Sequence, residues 1–320
     1  MEAGMSSLCQ SWRATGTSLV DGLGRGKVLF ADVGLSFWGG VNSQTGEVID
    51  RSHPLCGQNI SGKILAIPSG RGSCSGSSVL MELILNGNAP AGMIFSQREE
   101  ILSLGVFVAD EMFGQSIPIV QLAIPEFAKL GEIDYVTIDG QSLTELLDAS
   151  APSDPTRAAS VKTSSPALAL TRQDQMLLDG SVSKAAQIAM RIIVRMAGLL
   201  GAERLIDVTQ AHIDGCIYTG KASLEFAQLL CEWGAKVRVP TTLNAISVDQ
   251  RNWRSQGTDP SVAEPASDLA DAYVRMGAQP TFTCAPYQLA SAPSRGENIV
   301  WAESNAVVYA NSVLGELLFP

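Results

Sequence analysis

Within residues 68–78, Gly70-Arg71-Gly72-Ser73 brings together a guanidinium, two residues without side chains and a hydroxyl. Those types can hold an anion and move a proton. Residues 63–67 form an apolar run of strand length, and residues 79–85 carry apolar side chains at helical spacing, bounded by Asn86-Gly87. The expected order is strand, glycine-rich loop, helix. The first-turn N–H groups of such a helix point into the loop, and its dipole favours an anion there. Arg71 can clamp a carboxylate or phosphate through two parallel hydrogen bonds. Ser69, Gly72 and Ser75 complete the binding surface, and Ser73 offers the proton carrier. The competing reading is an ordinary strand-to-helix turn whose serines cap the helix. Neither the phosphate-loop ending Gly-Lys-Ser/Thr nor GxGxxG occurs in this loop.

A second set of chemistry-bearing residues recurs at the expected ends of four strands. Residues 204–208 lead to His212, Asp214 and Cys216, residues 236–239 to Asn244, residues 280–282 to Cys284, and residues 298–301 to Glu303-Ser304-Asn305. Helices are expected over 223–233 and 267–276. In an open α/β sheet, ligands bind beyond the carboxyl ends of the strands. The pattern therefore predicts one crevice lined by an acid/base pair (His212 and Asp214), a soft metal ligand (Cys284, with Cys216 as an alternative) and the hydrogen-bonding groups of Asn244, Ser304 and Asn305. A serine hydrolase with His212 as its base would need the GxSxG elbow, which Ser73 lacks.

The elements that must position these groups are set by length and pattern. A chain of 320 residues has room for about two domains. Short apolar runs alternate with short helical stretches and glycine-rich turns up to residue 148, which describes a small α/β or swivelling β/β/α domain over 1–148. Residues 149–166 have linker composition, and a second α/β domain fills 167–320, opening on an amphipathic helix over 183–200.

A net charge of −10 excludes a nucleic-acid backbone or an anionic membrane as partner. Residues 1–17 lack the apolar core of a signal peptide. No run reaches the ~18 to 20 apolar residues of a membrane span. The expected setting is soluble and cytoplasmic, and the six cysteines, with no CxxC pair, are expected to be reduced. His53, beside Pro54 in a turn, is expected to be structural.

Seven stretches in order, Arg25-Gly26-Lys27-Val28-Leu29, Leu35-Ser36-Phe37-Trp38-Gly39-Gly40, Pro68-Ser69-Gly70-Arg71-Gly72-Ser73, His212-Ile213-Asp214-Gly215, Pro240-Thr241-Thr242-Leu243-Asn244, Thr283-Cys284-Ala285-Pro286-Tyr287 and Trp301-Ala302-Glu303-Ser304-Asn305-Ala306, resemble the aconitase X family. The resemblance runs from about residue 20 to 315. It implies an α/β protein: a small swivelling β/β/α domain followed by part of an aconitase-like three-layer α/β domain. The implied activity is that of a hydro-lyase on a small hydroxy acid, cis-3-hydroxy-L-proline foremost, with mevalonate 5-phosphate as the alternative. Ser73 would be the base removing the α-proton, helped by the N–H groups and Arg71 around it. An iron centre, in several members an iron–sulfur cluster on cysteines, would take the leaving hydroxyl, with Cys284 and Cys216 as its ligands here.

Members of the family continue past the point where this sequence closes at Pro320. The ligand set is therefore expected to be incomplete, and a non-catalytic fragment is the alternative to an active enzyme. Val307, Val308, Val313, Leu314, Leu317, Leu318 and Phe319 crowd the closing segment, an apolar surface expected to drive self-association or to require a partner chain. Limited proteolysis followed by mass spectrometry should cut first within 149–166 and then degrade the second domain faster than the first. A second domain surviving as the resistant, monomeric core would contradict this.

Overall fold

Runs of buried β-branched and aliphatic residues that end at glycine or polar turns set the strands of the first half, and apolar stripes at helical spacing set its helices. The computed structural model describes residues 11–72, 74–146, 168–215, 217–244, 248–283, 294 and 296–301. The chain divides into two compact units, residues 1–163 and 164–320. Ser73, Cys216, Cys284, Ser304 and Asn305 lie outside the described residues, as does the 149–166 linker.

In the first unit the strands are β1 (Arg13–Thr15), β2 (Thr17–Val20), β3 (Leu23–Phe30), β4 (Leu35–Ser36), β5 (Ile64–Ala66), β6 (Gly70–Arg71), β7 (Gly92–Phe95), β8 (Ile119–Gln121), β9 (Tyr135–Asp139) and β10 (Ser142–Glu145). The helices are α1 (Gly76–Leu85), α2 (Ile101–Phe113) and α3 (Ile124–Lys129). Eight strands form one sheet in the order β1-β10-β9-β3-β5-β7-β8-β2. The centre, β3-β5-β7-β8, is parallel and its flanks are antiparallel.

Parallel strands covered on both faces read as continuous apolar runs, and every residue of β5 and β7 is buried. Ile64, Ala66 and Ile94 join Phe127 of α3 in one core cluster. Strand alternation sends Leu65, Met93 and Phe95 to the other face, where they are buried too. The helices α1 and α2 pack on each other. The apolar stripe of α2 continues through Val106, Phe107 and Ala109, all buried. That stripe carries α2 to Phe113. Between β4 and β5 the chain makes only isolated bridges, Val41 with Val48 and Glu47 with Asn59.

The second unit contains α4 (Arg172–Leu178), α5 (Lys184–Leu200), β11 (Gln210–Ile213), α6 (Lys221–Glu232), β12 (Thr241–Leu243), α7 (Pro260–Arg275) and β13 (Ile299–Trp301). Local chemistry sets the helix starts. Thr171 and Asp174 form a capping box for α4, Ser183 caps α5, and Asp259 followed by Pro260 opens α7. The three strands make a parallel sheet in the order β12-β11-β13, and Gln279 bridges Thr242 in the same direction. Among the described residues no helix is long and apolar enough to cross a membrane.

Three of the four expected strands are not formed where the sequence places them. Residues 204–208 form no strand, Arg204 only bridges Ala169, and Ile206 is 60% exposed. Residues 236–239 and 280–282 form none either. The ladder instead takes the residues just downstream, pairing Ala211 with Thr241, His212 with Thr242 and Ile213 with Leu243. Strand preference measures fit to neighbours more than an intrinsic bias, and only 210–213 and 241–243 find partners. Shortening Leu65, fully buried in β5, should cost about 2–5 kcal/mol as Leu65→Ala. Urea unfolding followed in the first unit would measure it.

Candidate active site

The Arg71 loop is held from three sides. Arg71 lies in β6, which pairs in parallel with β4, matching Leu35 to Gly70 and Ser36 to Arg71. The Gly70 N–H donates to Glu99 Oε2 at 2.7 Å, and the other oxygen of that buried carboxylate accepts the N–H groups of Ile101 and Leu102 at 3.0 Å each. One acid thus caps α2 and pins the loop. A Cβ at position 70 would stand 3.1 Å from Glu99 Oε2, so glycine gives the carboxylate its close approach. Gly72 turns the chain at φ +89°, where a side chain would be strained and would meet Ser36 Oγ.

Arg71 donates through its terminal nitrogen to Asp50 Oδ2 at 2.6 Å. Asp50 is fixed in turn by Ser52, whose hydroxyl and N–H both donate to Oδ1 at 2.7 and 2.9 Å. The bonds from Ser52, reinforced by Arg71, pull the Asp50 carboxyl down to a pKa of about 2, so the pair is charged throughout the neutral range. Ser69 borders Gly34, whose Cβ position lies 3.0 Å from the Ser69 carbonyl. Ser75 is buried at the N-cap of α1, but its side chain makes no capping bond. The hydroxyl of Ser77 donates to the Cys74 carbonyl. His53 is structural, as expected: its Nδ1 accepts the Leu55 N–H and its Nε2 faces the Val33 carbonyl.

In the second unit, His212 sits inside β11, not in a loop beyond it. It is buried, with Nδ1 2.7 Å from Thr242 Oγ1, and it stands edge-on to Trp301 with ring centroids 6.3 Å apart. Burial lowers its pKa below the usual 6.5, and a hydrogen bond with the Thr283 backbone only partly opposes this. The imidazole is therefore neutral at pH 7 and ties β11 to β12 and to the segment that ends at Thr283. Because the strands are parallel and in register, their carboxyl ends share one edge. Asp214 comes after β11 there, and Asn244, fully buried, comes after β12 and donates its N–H to Ile213 O at 2.9 Å.

The structure brings His212, Asp214 and Asn244 onto that edge, and Ser69, Arg71, Gly72 and Ser75 into the other unit's loop. Among the described residues no three His, Cys, Asp or Glu side chains gather as metal ligands. Sequence reasoning missed Asp50, Glu99 and Thr242. Asp50-Arg51-Ser52 carried a local signal, an Asp with a hydroxyl two residues on, and Glu99 another, an acid just before a helix. Their partners Arg71 and Gly70 lie 21 and 29 residues away and leave no local mark.

A unit with a mixed sheet and an arginine loop is thus followed in the chain by a unit with a parallel sheet whose carboxyl edge gathers polar groups. Residues 13–146 match the Aconitase X swivel domain and residues 167–317 the Aconitase X first domain. The chain belongs to the aconitase X family. It is 55% identical over 303 residues to a cis-3-hydroxy-L-proline dehydratase of Hypocrea jecorina, covering 94% of this chain and 51% of that protein. A protein of the same name from Pseudomonas aeruginosa is 54% identical, covering 93% of this chain and 51% of that one. The phosphomevalonate dehydratase large subunit of Methanothermobacter thermautotrophicus is 38% identical over 148 residues, 46% of this chain and 37% of that one. The chain spans about half the length of the dehydratases that it matches along both units.

The His212 environment makes a pH prediction. A buried histidine whose folded pKa is lowered resists protonation that the unfolded chain accepts, so stability is full above about pH 6.5 and falls as pH drops toward the folded value. Urea melts of the second unit from pH 8 to 5 should show this loss, and His212→Asn should flatten it.

Proposed function

We propose that this chain is part of a hydro-lyase that removes water from cis-3-hydroxy-L-proline. The observation that carries the reading is identity of 55% along 94% of the chain with a dehydratase named for that substrate. Mevalonate 5-phosphate is the second candidate, but the similarity behind it reaches only 46% of the chain.

Dehydration of a 3-hydroxy acid breaks the C2–H and C3–O bonds and forms a C2=C3 double bond. It needs a grip on the carboxylate, a base at C2 and an acid at the leaving oxygen. Arg71 supplies the grip: one of its N–H donors meets Asp50, and a guanidinium has five. Ser73 is the proposed base, by its place in the Arg-Gly-Ser motif. In the second unit, His212, neutral and anchored to Thr242, orders the edge that carries Asp214 and Asn244; these three, with Ser304 and Asn305, are proposed as that unit's contribution to the reaction.

A cluster takes three or four protein ligands. The described thiols do not supply them: Cys231 Sγ donates to the Ala272 carbonyl, while Cys56 and Cys74 are exposed. An iron or iron–sulfur centre would use Cys284 and Cys216 with ligands from elsewhere. A large-subunit designation among the relatives supports an assembly with a partner chain or a second copy, which the apolar closing segment suits. A cytoplasmic setting would keep the exposed thiols reduced.

The chain, incubated anaerobically with iron and sulfide in deuterated buffer, should exchange the C2 proton of cis-3-hydroxy-L-proline and release water from it, read by proton NMR. Mevalonate 5-phosphate should be inert. Arg71→Met should lower kcat/KM roughly 10- to 100-fold, the worth of a hydrogen bond to a charged group. Absence of both exchange and turnover with either compound would overturn the reading.

A further inference from the structure

The Arg71–Asp50 pair has the wrong setting for a stabilising device and a suitable one for recognition. Exposed ion pairs contribute little to stability, and the Arg71 side chain is 52% exposed. Yet the carboxylate, and the backbone that carries the guanidinium, are each fixed by other bonds. Asp50 is held on Oδ1 by the Ser52 hydroxyl and N–H, and its backbone is held through Gly40 O and the His53 N–H. The Arg71 backbone is held through β6 and the pinned Gly70 N–H. The result is one positive and one negative group 2.6 Å apart, the carboxylate preset by Ser52 and the guanidinium brought to it by a fixed stretch of backbone.

We propose that Asp50 and Arg71 together form a recognition site for the zwitterionic head of an α-amino acid, Arg71 taking the carboxylate and Asp50 the ammonium. This rests on the dehydratase reading and names what selects its substrate. In an α-amino acid the two charges sit on atoms bonded to the same carbon. Laid against Arg71–Asp50 in the opposite sense, they close a square of alternating charges in which each group has two opposite neighbours. The ring nitrogen of cis-3-hydroxy-L-proline is a secondary ammonium and offers two N–H donors, so it can satisfy Asp50 Oδ2 when Arg71 turns part of its fork to the substrate. A hydroxy acid without an ammonium, such as mevalonate 5-phosphate, brings only anions to Asp50 and is repelled. The carboxylate therefore discriminates as well as binds. Ser52 becomes a positioning residue that occupies Oδ1 and leaves Oδ2 to Arg71 and the ammonium.

The test uses the full chain and ligands that differ in one atom, L-proline and oxolane-2-carboxylate, in which a ring oxygen replaces the ammonium. Calorimetric titration should show L-proline bound about tenfold more tightly, a modest factor suited to one charge-assisted contact at a part-exposed site. Asp50→Asn should abolish that preference without weakening oxolane-2-carboxylate, and Arg71→Met should weaken both. Asp50→Glu, which keeps the charge, should retain a preference for L-proline; equal loss in Asp50→Glu and Asp50→Asn would mark a structural role and overturn the proposal. It is also overturned if Asp50→Asn keeps the wild-type preference or if the wild-type chain does not distinguish the ligands. Turnover of cis-3-hydroxy-L-proline with an unchanged KM in Asp50→Asn would overturn it while leaving the dehydratase reading intact. Discrimination between the two ligands without turnover of cis-3-hydroxy-L-proline would sink the dehydratase reading and leave amino-acid recognition standing.

Discussion

The Glu99 carboxylate, buried at the start of α2, accepts three backbone N–H groups, two from the first turn of its own helix and one from Gly70. Burying a charge is costly unless it is fully hydrogen-bonded, and here both oxygens are engaged with donors at a helix N-terminus, where the dipole adds to the attraction. The same carboxylate therefore closes α2 and fixes the backbone of the arginine loop. Arg71 follows Gly70 directly in β6 and so starts from a pinned backbone.

The second unit solves a related problem with a neutral group. His212 is surrounded by protein and pushed toward its uncharged form by desolvation. It ties neighbouring parallel strands by bonding across to Thr242 and to the Thr283 backbone. A charge there would be desolvated, so an imidazole that can bond at both nitrogens without ionising suits the place. The carboxyl edge that carries Asp214 and Asn244 takes its register from this knot.

Net charge and local charge pull in opposite directions across the molecule. A chain at −10 repels anions on average, yet the arginine loop offers a half-exposed guanidinium whose carboxylate partner Asp50 shares its charge with the Ser52 hydroxyl and N–H. Anion binding then depends on placement over a few ångströms and not on overall composition, because screening removes the distant charges.

How much of this was legible beforehand depends on how local the cause was. Helices α5 and α6, the central strands of the first unit and the strand-loop-helix around Arg71 come from periodicity and glycine placement, which act within a few residues. So do the family motifs, since they are runs of adjacent residues. The position of β11 and β12 was not legible. Residues 204–208 and 236–239 read as strands as well as 210–213 and 241–243 do, and only the parallel ladder, joining segments 30 residues apart, chose between them. His212 accordingly moved from a loop tip into a strand. The residue types of the Arg71 loop, its glycines and its acidic surroundings were determined by the sequence alone. That Asp50 and Glu99 are the acids that reach it was decided by the tertiary structure, because a hydrogen bond between residues 21 or 29 positions apart exists only once the sheet has brought their backbones together.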